Sequence, residues 1–222
     1  MHSDFRKIGI VCAMRDEMEL LQREFPAEGV RCVLSGIGKV NAAVAAERLA
    51  SDFAPDCILS IGVAGTFVEG LQEGETVIAS RTAYHDVWCG KGNSYGQVQD
   101  MPVFYEGDPF LVDKALNAIG RNSSPAIRSG LICTGDKFSD DRDVLSNIRT
   151  HFPDALAVDM ESAAMAQVCH VNGVPFVSFR IISNLSASEE SCLQYRRFWE
   201  GGAEDRFSIL LTYLKNLKNS IQ

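Results

Sequence analysis

Phe176-Val177-Ser178-Phe179-Arg180-Ile181-Ile182-Ser183-Asn184 is an apolar run that closes on an arginine, a serine and a side-chain amide. It reads as a strand, and strand ends of this kind carry the chemistry in α/β folds. Immediately upstream, Glu161 to Val171 has a helical pattern with Gly173 just past its end, and Leu156 to Val158 before it reads as a short strand. The same alternation extends through the chain. Ile8 to Ala13, Val30 to Leu34, Cys57 to Ile61, Thr76 to Ser80 and Ile127 to Cys133 are strand candidates. Arg15 to Glu24, the alanine-rich Lys39 to Ala50, Pro109 to Ile119, Arg142 to His151 and Arg206 to Lys218 are helix candidates. The pattern implies an α/β fold with a largely parallel, buried sheet flanked by helices. His85 to Gly107 lacks a clear period and is expected to be a long functional loop.

The 222 residues fit one large domain, 1–222, able to hide roughly 70% of the surface of the unfolded chain. No repeat, low-complexity tract or domain boundary interrupts it. A formal charge of −8 argues against a general nucleic-acid or anionic-membrane binder, so an anionic ligand would need a local cationic pocket. Seven cysteines form no C-x-x-C pair, and five of them fall in expected strands or helices, which suggests reduced thiols and a cytoplasmic location. The first residues lead directly into an apolar strand too short for a secretory leader, and no stretch approaches 18 apolar residues. His2, His85, His151 and His170 have no ligand spacing, so neither a metal nor a cofactor is expected.

Several segments can carry chemistry, each with a plainer alternative. Ser35-Gly36-Ile37-Gly38-Lys39-Val40-Asn41 follows a strand and opens a helix, so its amides could cradle an anion or a sugar. It is neither a P-loop nor a dinucleotide fingerprint, and it could be only a tight turn. Ile61-Gly62-Val63-Ala64-Gly65-Thr66 reads as a second strand-end glycine turn, and two such turns on one sheet edge favour a ligand crevice. Asp16 and Glu17 open a helix, where acidic side chains also simply complement the macrodipole. In Val158-Asp159-Met160-Glu161-Ser162, Glu161 is either a charge at the helix start or an acceptor for vicinal sugar hydroxyls. Phe138, in Thr134-Gly135-Asp136-Lys137-Phe138-Ser139, is either core or a platform for a flat base.

Taken in order, these segments resemble the 5'-methylthioadenosine/S-adenosylhomocysteine nucleosidases, within the wider purine nucleoside phosphorylase family. The resemblance runs from Ala13-Met14 through Glu17, Ser35 to Lys39, Gly62 to Gly65, Tyr84-His85-Asp86, Tyr95-Gly96-Gln97, Gly135 to Phe138 and Asp159-Met160-Glu161 to Arg180–Asn184. It implies a three-layer α/β/α sandwich with a mixed, largely parallel sheet. It also implies a homodimer in which the 85–100 loop reaches the neighbouring site. By the resemblance, Glu17 orients the attacking water, Arg180 supports the water site, Glu161 binds the ribose hydroxyls, Met160 lies beneath the sugar and Phe138 stacks on the base. Ser139, Ala64, Gly65, Ile37, Met14 and Tyr195 complete the substrate contacts.

Three departures from the family pattern stand out. Asn184 occupies the position of the family's acid, an aspartate. About ten residues are missing between the first helix and Ser35, and Lys91 and Gln99 replace expected apolar residues. An amide has no proton to give. The expected activity is hydrolysis of an adenine nucleoside's N-glycosidic bond, slowed by Asn184. A nucleosidase for a 6-oxopurine nucleoside and a catalytically silent nucleoside-binding protein, natural or engineered, stay open beside it.

Overall fold

The computed structural model describes residues 5–24, 28–118, 127–138, 140–186, 190–200 and 203–219. Along the chain the elements are β1 (Ile8–Cys12), α1 (Arg15–Glu24), β2 (Val30–Leu34), α2 (Lys39–Phe53), β3 (Cys57–Thr66), β4 (Thr76–Tyr84) and β5 (Tyr105–Glu106). They continue with α3 (Pro109–Ala118), β6 (Ile127–Thr134), α4 (Arg142–His151), β7 (Ala155–Asp159), α5 (Ser162–Asn172), β8 (Phe176–Leu185), α6 (Ser191–Glu200) and α7 (Ala203–Asn219). Every residue of β1 is buried, and in β8 only Leu185 is exposed, as strands covered on both faces require.

Alternate side chains of one strand serve opposite layers. Ile10 of β1 and Leu59 of β3 pack with Leu21, Leu111, Phe198 and Tyr213 from α1, α3, α6 and α7. Their neighbours Val11 and Ile58 pack on the other face with Ala42, Ala46, Leu49, Ala163 and Met165 from α2 and α5. The result is the expected three-layer α/β/α arrangement. Gly9 allows α2 to sit directly on β1, because a Cβ there would come within 2.6 Å of Leu49 Cδ2.

The eight-stranded sheet is mixed and mainly parallel: β1 pairs in parallel with β2 and β3, β3 with β8, and β6 with β4 and β7. Antiparallel contacts of β8 with β4 and of β3 with β7 close β3, β8, β4, β6 and β7 into a ring. The expected glycine turn at Ile61–Thr66 is instead strand: β3 runs on to Thr66 because β8 accompanies it to Leu185. Register shifts between Ala64/Gly65, so that Gly65 faces Asn184 and Ser183 is the extra residue of a bulge. Such a bulge re-aims the side chains beside it.

Other boundaries also differ. β4 continues to Tyr84, and Tyr105–Glu106 in the expected loop forms a short strand against it. The helix expected from Glu161 begins at Ser162, the last helix begins at Ala203, and Ser191–Glu200 is a helix that the sequence pattern did not reveal.

The Gly9 contact gives a packing test. Gly9→Ala should cost about 1–3 kcal/mol by overpacking and Leu49→Ala about 2–5 kcal/mol by leaving a cavity. Denaturant titration of the double variant should give a loss smaller than the sum, since the shortened side chain makes room for the new methyl.

Candidate active site

Five strand ends of the same sheet edge meet in one cleft: Ala13 and Met14 after β1, Ala64 and Gly65 of β3, Lys137 and Phe138 after β6, Asp159 of β7, and Ser183 and Asn184 of β8. Ile37 enters from the turn before α2 and Tyr195 from α6. The cleft thus gathers Glu17, Asn184, Glu161, Met160, Phe138, Ala64, Gly65, Ile37, Met14 and Tyr195 from the sequence reading. Arg180 is not in its lining, and Ser139 lies outside the described residues.

Glu17 is 1% exposed and folds back over the start of its own helix. Its Oε2 accepts hydrogen bonds from the backbone N–H of Ala13 and Met14, both at 3.0 Å, and Oε1 accepts from Val63 N at 3.2 Å. Gly62 is the reason it fits, since a Cβ there would sit 2.9 Å from Glu17 Oε1. Burial pushes the carboxyl up to about 7, against the opposing pull of Arg180 and the bond from Met14.

Glu161 is the residue before α5, yet its side chain does not cap the helix. Asp159 does that instead: it accepts from Ser162 N and Ser162 Oγ, and from Thr134 Oγ1 at 2.6 Å, while Thr134 Oγ1 accepts from Ala163 N at 2.9 Å. Glu161 is left facing the cleft, where Oε1 accepts from Gly38 N at 2.9 Å. Burial and the neighbouring Asp159 raise its pKa, with Arg180 opposing.

Arg180 lies behind the wall, wholly buried. It donates from Nε to Asp159 Oδ2 at 2.7 Å, from Nη1 to Phe179 O and from Nη2 to Ser60 Oγ, both at 2.9 Å, and Nη2 is 3.9 Å from Glu161 Oε2. The guanidinium thus bonds to protein groups and faces the cleft only through Asp159 and the two glutamates.

Asn184 is held between two serines. Its Nδ2 donates to Ser191 Oγ at 2.7 Å, and its Oδ1 accepts from Ser183 Oγ at 2.9 Å, with Ala64 O 3.2 Å from the same hydroxyl. Leu185 N also donates to Gln194 Oε1 at 2.8 Å, so α6 is tied to the end of β8 twice. Tyr195 on α6 donates to Met14 Sδ at 2.9 Å and meets Phe138 edge to face at 5.9 Å. Ser183, Ser191, Asp159 and Lys137 were missed as site residues. The only available signal for Ser191 was a serine followed by Tyr195, Phe198 and Trp199 at helical spacing.

Among the described residues no group of three or more His, Cys, Asp and Glu side chains is placed to hold a metal ion, and no helix is long and apolar enough to cross a membrane. The arrangement offers two proton-retaining carboxyls, a side-chain amide and an aromatic wall around a space open at one side.

Residues 25–215 match the family described as the phosphorylase superfamily. A 5'-methylthioadenosine/S-adenosylhomocysteine nucleosidase of Chromohalobacter salexigens is 38% identical over 96% of this chain and 98% of its own. The nucleosidase of the same description from Neisseria meningitidis, solved in complex with methylthio-immucillin-A, superposes with a TM-score of 0.87 at 34% identity, covering 95% of this chain and 99% of its own. An Asp-to-Asn mutant of Helicobacter pylori MTAN, with 5'-methylthioadenosine in its active site, gives a TM-score of 0.84 at 26% identity, covering 96% and 98%. The chain belongs to the phosphorylase superfamily and, within it, to the 5'-methylthioadenosine/S-adenosylhomocysteine nucleosidases.

The raised carboxyls make stability depend on pH with a definite sign. A carboxyl that holds its proton more tightly folded than unfolded contributes stability fully below the ordinary glutamate value of about 4.3 and loses it as pH rises through its folded value. For Glu17 the window closes at about 7. Glu17→Gln cannot ionise, so its melting temperature should gain on the parent's between pH 5 and pH 8. Parallel melting curves over that range would place the ionisation of Glu17 in the ordinary region.

Proposed function

We propose that the whole chain, as one domain, hydrolyses the N-glycosidic bond of 5'-methylthioadenosine and/or S-adenosylhomocysteine, releasing adenine and the 5'-substituted ribose. The convergence of Glu17, Glu161 and Asn184 on one cleft carries this reading. Departure of the base leaves an oxocarbenium-like sugar. Glu161, which lines the cleft and is held by Gly38 N, would accept from the ribose hydroxyls, with Met160 beneath the ring. Glu17 would take a proton from the attacking water, and a carboxyl near 7 is well matched to that role at neutral pH. Phe138 supplies the face on which a purine stacks. Arg180 is a positioning residue, holding Asp159 and biasing both glutamates. Free thiols at all seven cysteines support a cytoplasmic location.

Asn184 can donate a hydrogen bond to the departing purine but no proton, which supports a slow reaction. One observation favours a second reading. Ser183 and Ser191 are hydroxyls, each able to donate or accept, so they satisfy the amide in either orientation. The purine edge of a 6-oxopurine nucleoside could then also be met.

A homodimer is supported by exposed apolar residues: Ile37, which lines the cleft, at 53%, Val40 at 74% and Trp88 at 58%, with Val44 one turn beyond Val40. In the 85–100 loop, Val87 joins the core of its own chain and Tyr95 stacks on His151, which leaves Trp88 as the residue free to meet a partner. The protein should sediment as a dimer at micromolar concentration and Val40→Glu as a monomer.

The acid is tested by Asn184→Asp. Hydrolysis of 5'-methylthioadenosine, followed as adenine release, should rise by about 10²–10⁴-fold, with a smaller change in binding. A 6-oxopurine enzyme would instead lose activity on inosine-type nucleosides, and no gain on the adenine nucleoside would sink the missing-acid account.

A further inference from the structure

The cleft has a chemically distinct floor and mouth. Glu17, Glu161, Ser183 and Asn184 on the floor are buried, whereas Ile37, Lys137 and Phe138 are exposed and Met14 and Tyr195 are half-buried. On the proposed reading, with the sugar over the buried floor and the base against Phe138, the 5' substituent of a nucleoside leaves through this mouth. Met14, Tyr195 and Ile37 give the mouth an apolar, sulfur-bearing wall suited to a thioether.

Lys137 is the exception in that wall. Among the described residues its side chain makes no hydrogen bond or ion pair, although it lines the cleft. Two other cations near the cleft are committed: Lys39 Nζ lies 2.7 Å from Asp86 Oδ2 and 3.9 Å from Asp136 Oδ2, and Arg180 is bonded to Asp159. In a chain of formal charge −8, with Glu17, Asp159 and Glu161 in the same cleft, an unpaired ammonium at the mouth is the local cation that an anionic substrate group needs.

We infer that Lys137 is a specificity-determining residue that receives a carboxylate at the far end of the 5' substituent, favouring an amino-acid thioether such as S-adenosylhomocysteine over the methylthio compound. This rests on the nucleosidase reading above and adds the substituent class to it. A compact charge on a flexible stem follows a carboxylate that stays partly solvated, so the expected advantage is modest, about two- to fivefold.

Binding is the readout, because calorimetric titration does not depend on turnover. The full-length protein is titrated with methylthioadenosine, with adenosylhomocysteine and with an adenosylhomocysteine analogue whose carboxyl is replaced by hydrogen, at low and high salt. Lys137→Gln should weaken adenosylhomocysteine about two- to fivefold and leave the other two unchanged, Lys137→Glu should weaken it further, and Lys137→Arg should keep most of the preference. High salt should erase the difference in the parent. If both natural nucleosides bind and Lys137→Glu leaves their ratio unchanged, the inference about Lys137 is overturned while the nucleosidase reading stands. If the parent binds neither, that reading falls and takes this inference with it.

Discussion

The buried pair of Arg180 and Asp159 organises the functional edge of this molecule. Asp159 ends β7, Arg180 sits in β8, and their partners Ser60, Thr134 and Ser162 belong to β3, β6 and α5. Two charges removed from water are costly unless almost every lone pair and proton finds a partner, and removal of one member commonly costs 3–5 kcal/mol. Here the guanidinium reaches a carboxylate, a hydroxyl and a carbonyl, and the carboxylate takes hydroxyls and an amide as well. The strand ends that shape the cleft are therefore cross-braced by a pair of which Asp159 lines the cleft and Arg180 lies behind it.

That bracing explains why two glutamates at the starts of helices can face inward. A helix start leaves amide N–H groups in need of acceptors. At α5 they are met by Asp159 and Thr134, which frees Glu161. At α1, Glu17 meets the preceding amides itself, and the same three backbone bonds fix the carboxyl in the cleft. Complementing a helix start and presenting a carboxyl to the cleft are thus one arrangement at Glu17 and two separate duties at Asp159 and Glu161. Burial then keeps both glutamates protonated to unusually high pH, with Arg180 limiting the shift.

The α/β alternation was legible because strands buried on both faces leave long apolar runs, as in β1 and β8, and alanine-rich α2 has no competing reading. The set of residues that line the cleft was legible through its order along the chain. What escaped has physical causes. Gly62 and Gly65 read as a turn, but their missing side chains serve a close approach by Glu17 and a strand bulge rather than a reversal. Helix α6 lies in a polar stretch whose buried contacts, Ser191 and Phe198, are decided by β8 and α7 rather than by local propensity. Ser191 could not be tied to Asn184 without the bend between them, and the solitary charge of Lys137 is visible only once the pairing of Lys39 and Arg180 is known.

The double attachment of α6 to the end of β8 has a thermodynamic corollary. One hydrogen of the Asn184 amide is engaged by Ser191, and on the proposed function the other would be the donor to a purine. The position of the helix that carries Tyr195 and the occupancy of the base position are therefore coupled through a single nitrogen. Whatever free energy a bound base would gain or lose by the way α6 is seated, α6 would gain or lose by the presence of the base, so the seating of the helix and the hold on the base would be reciprocal quantities.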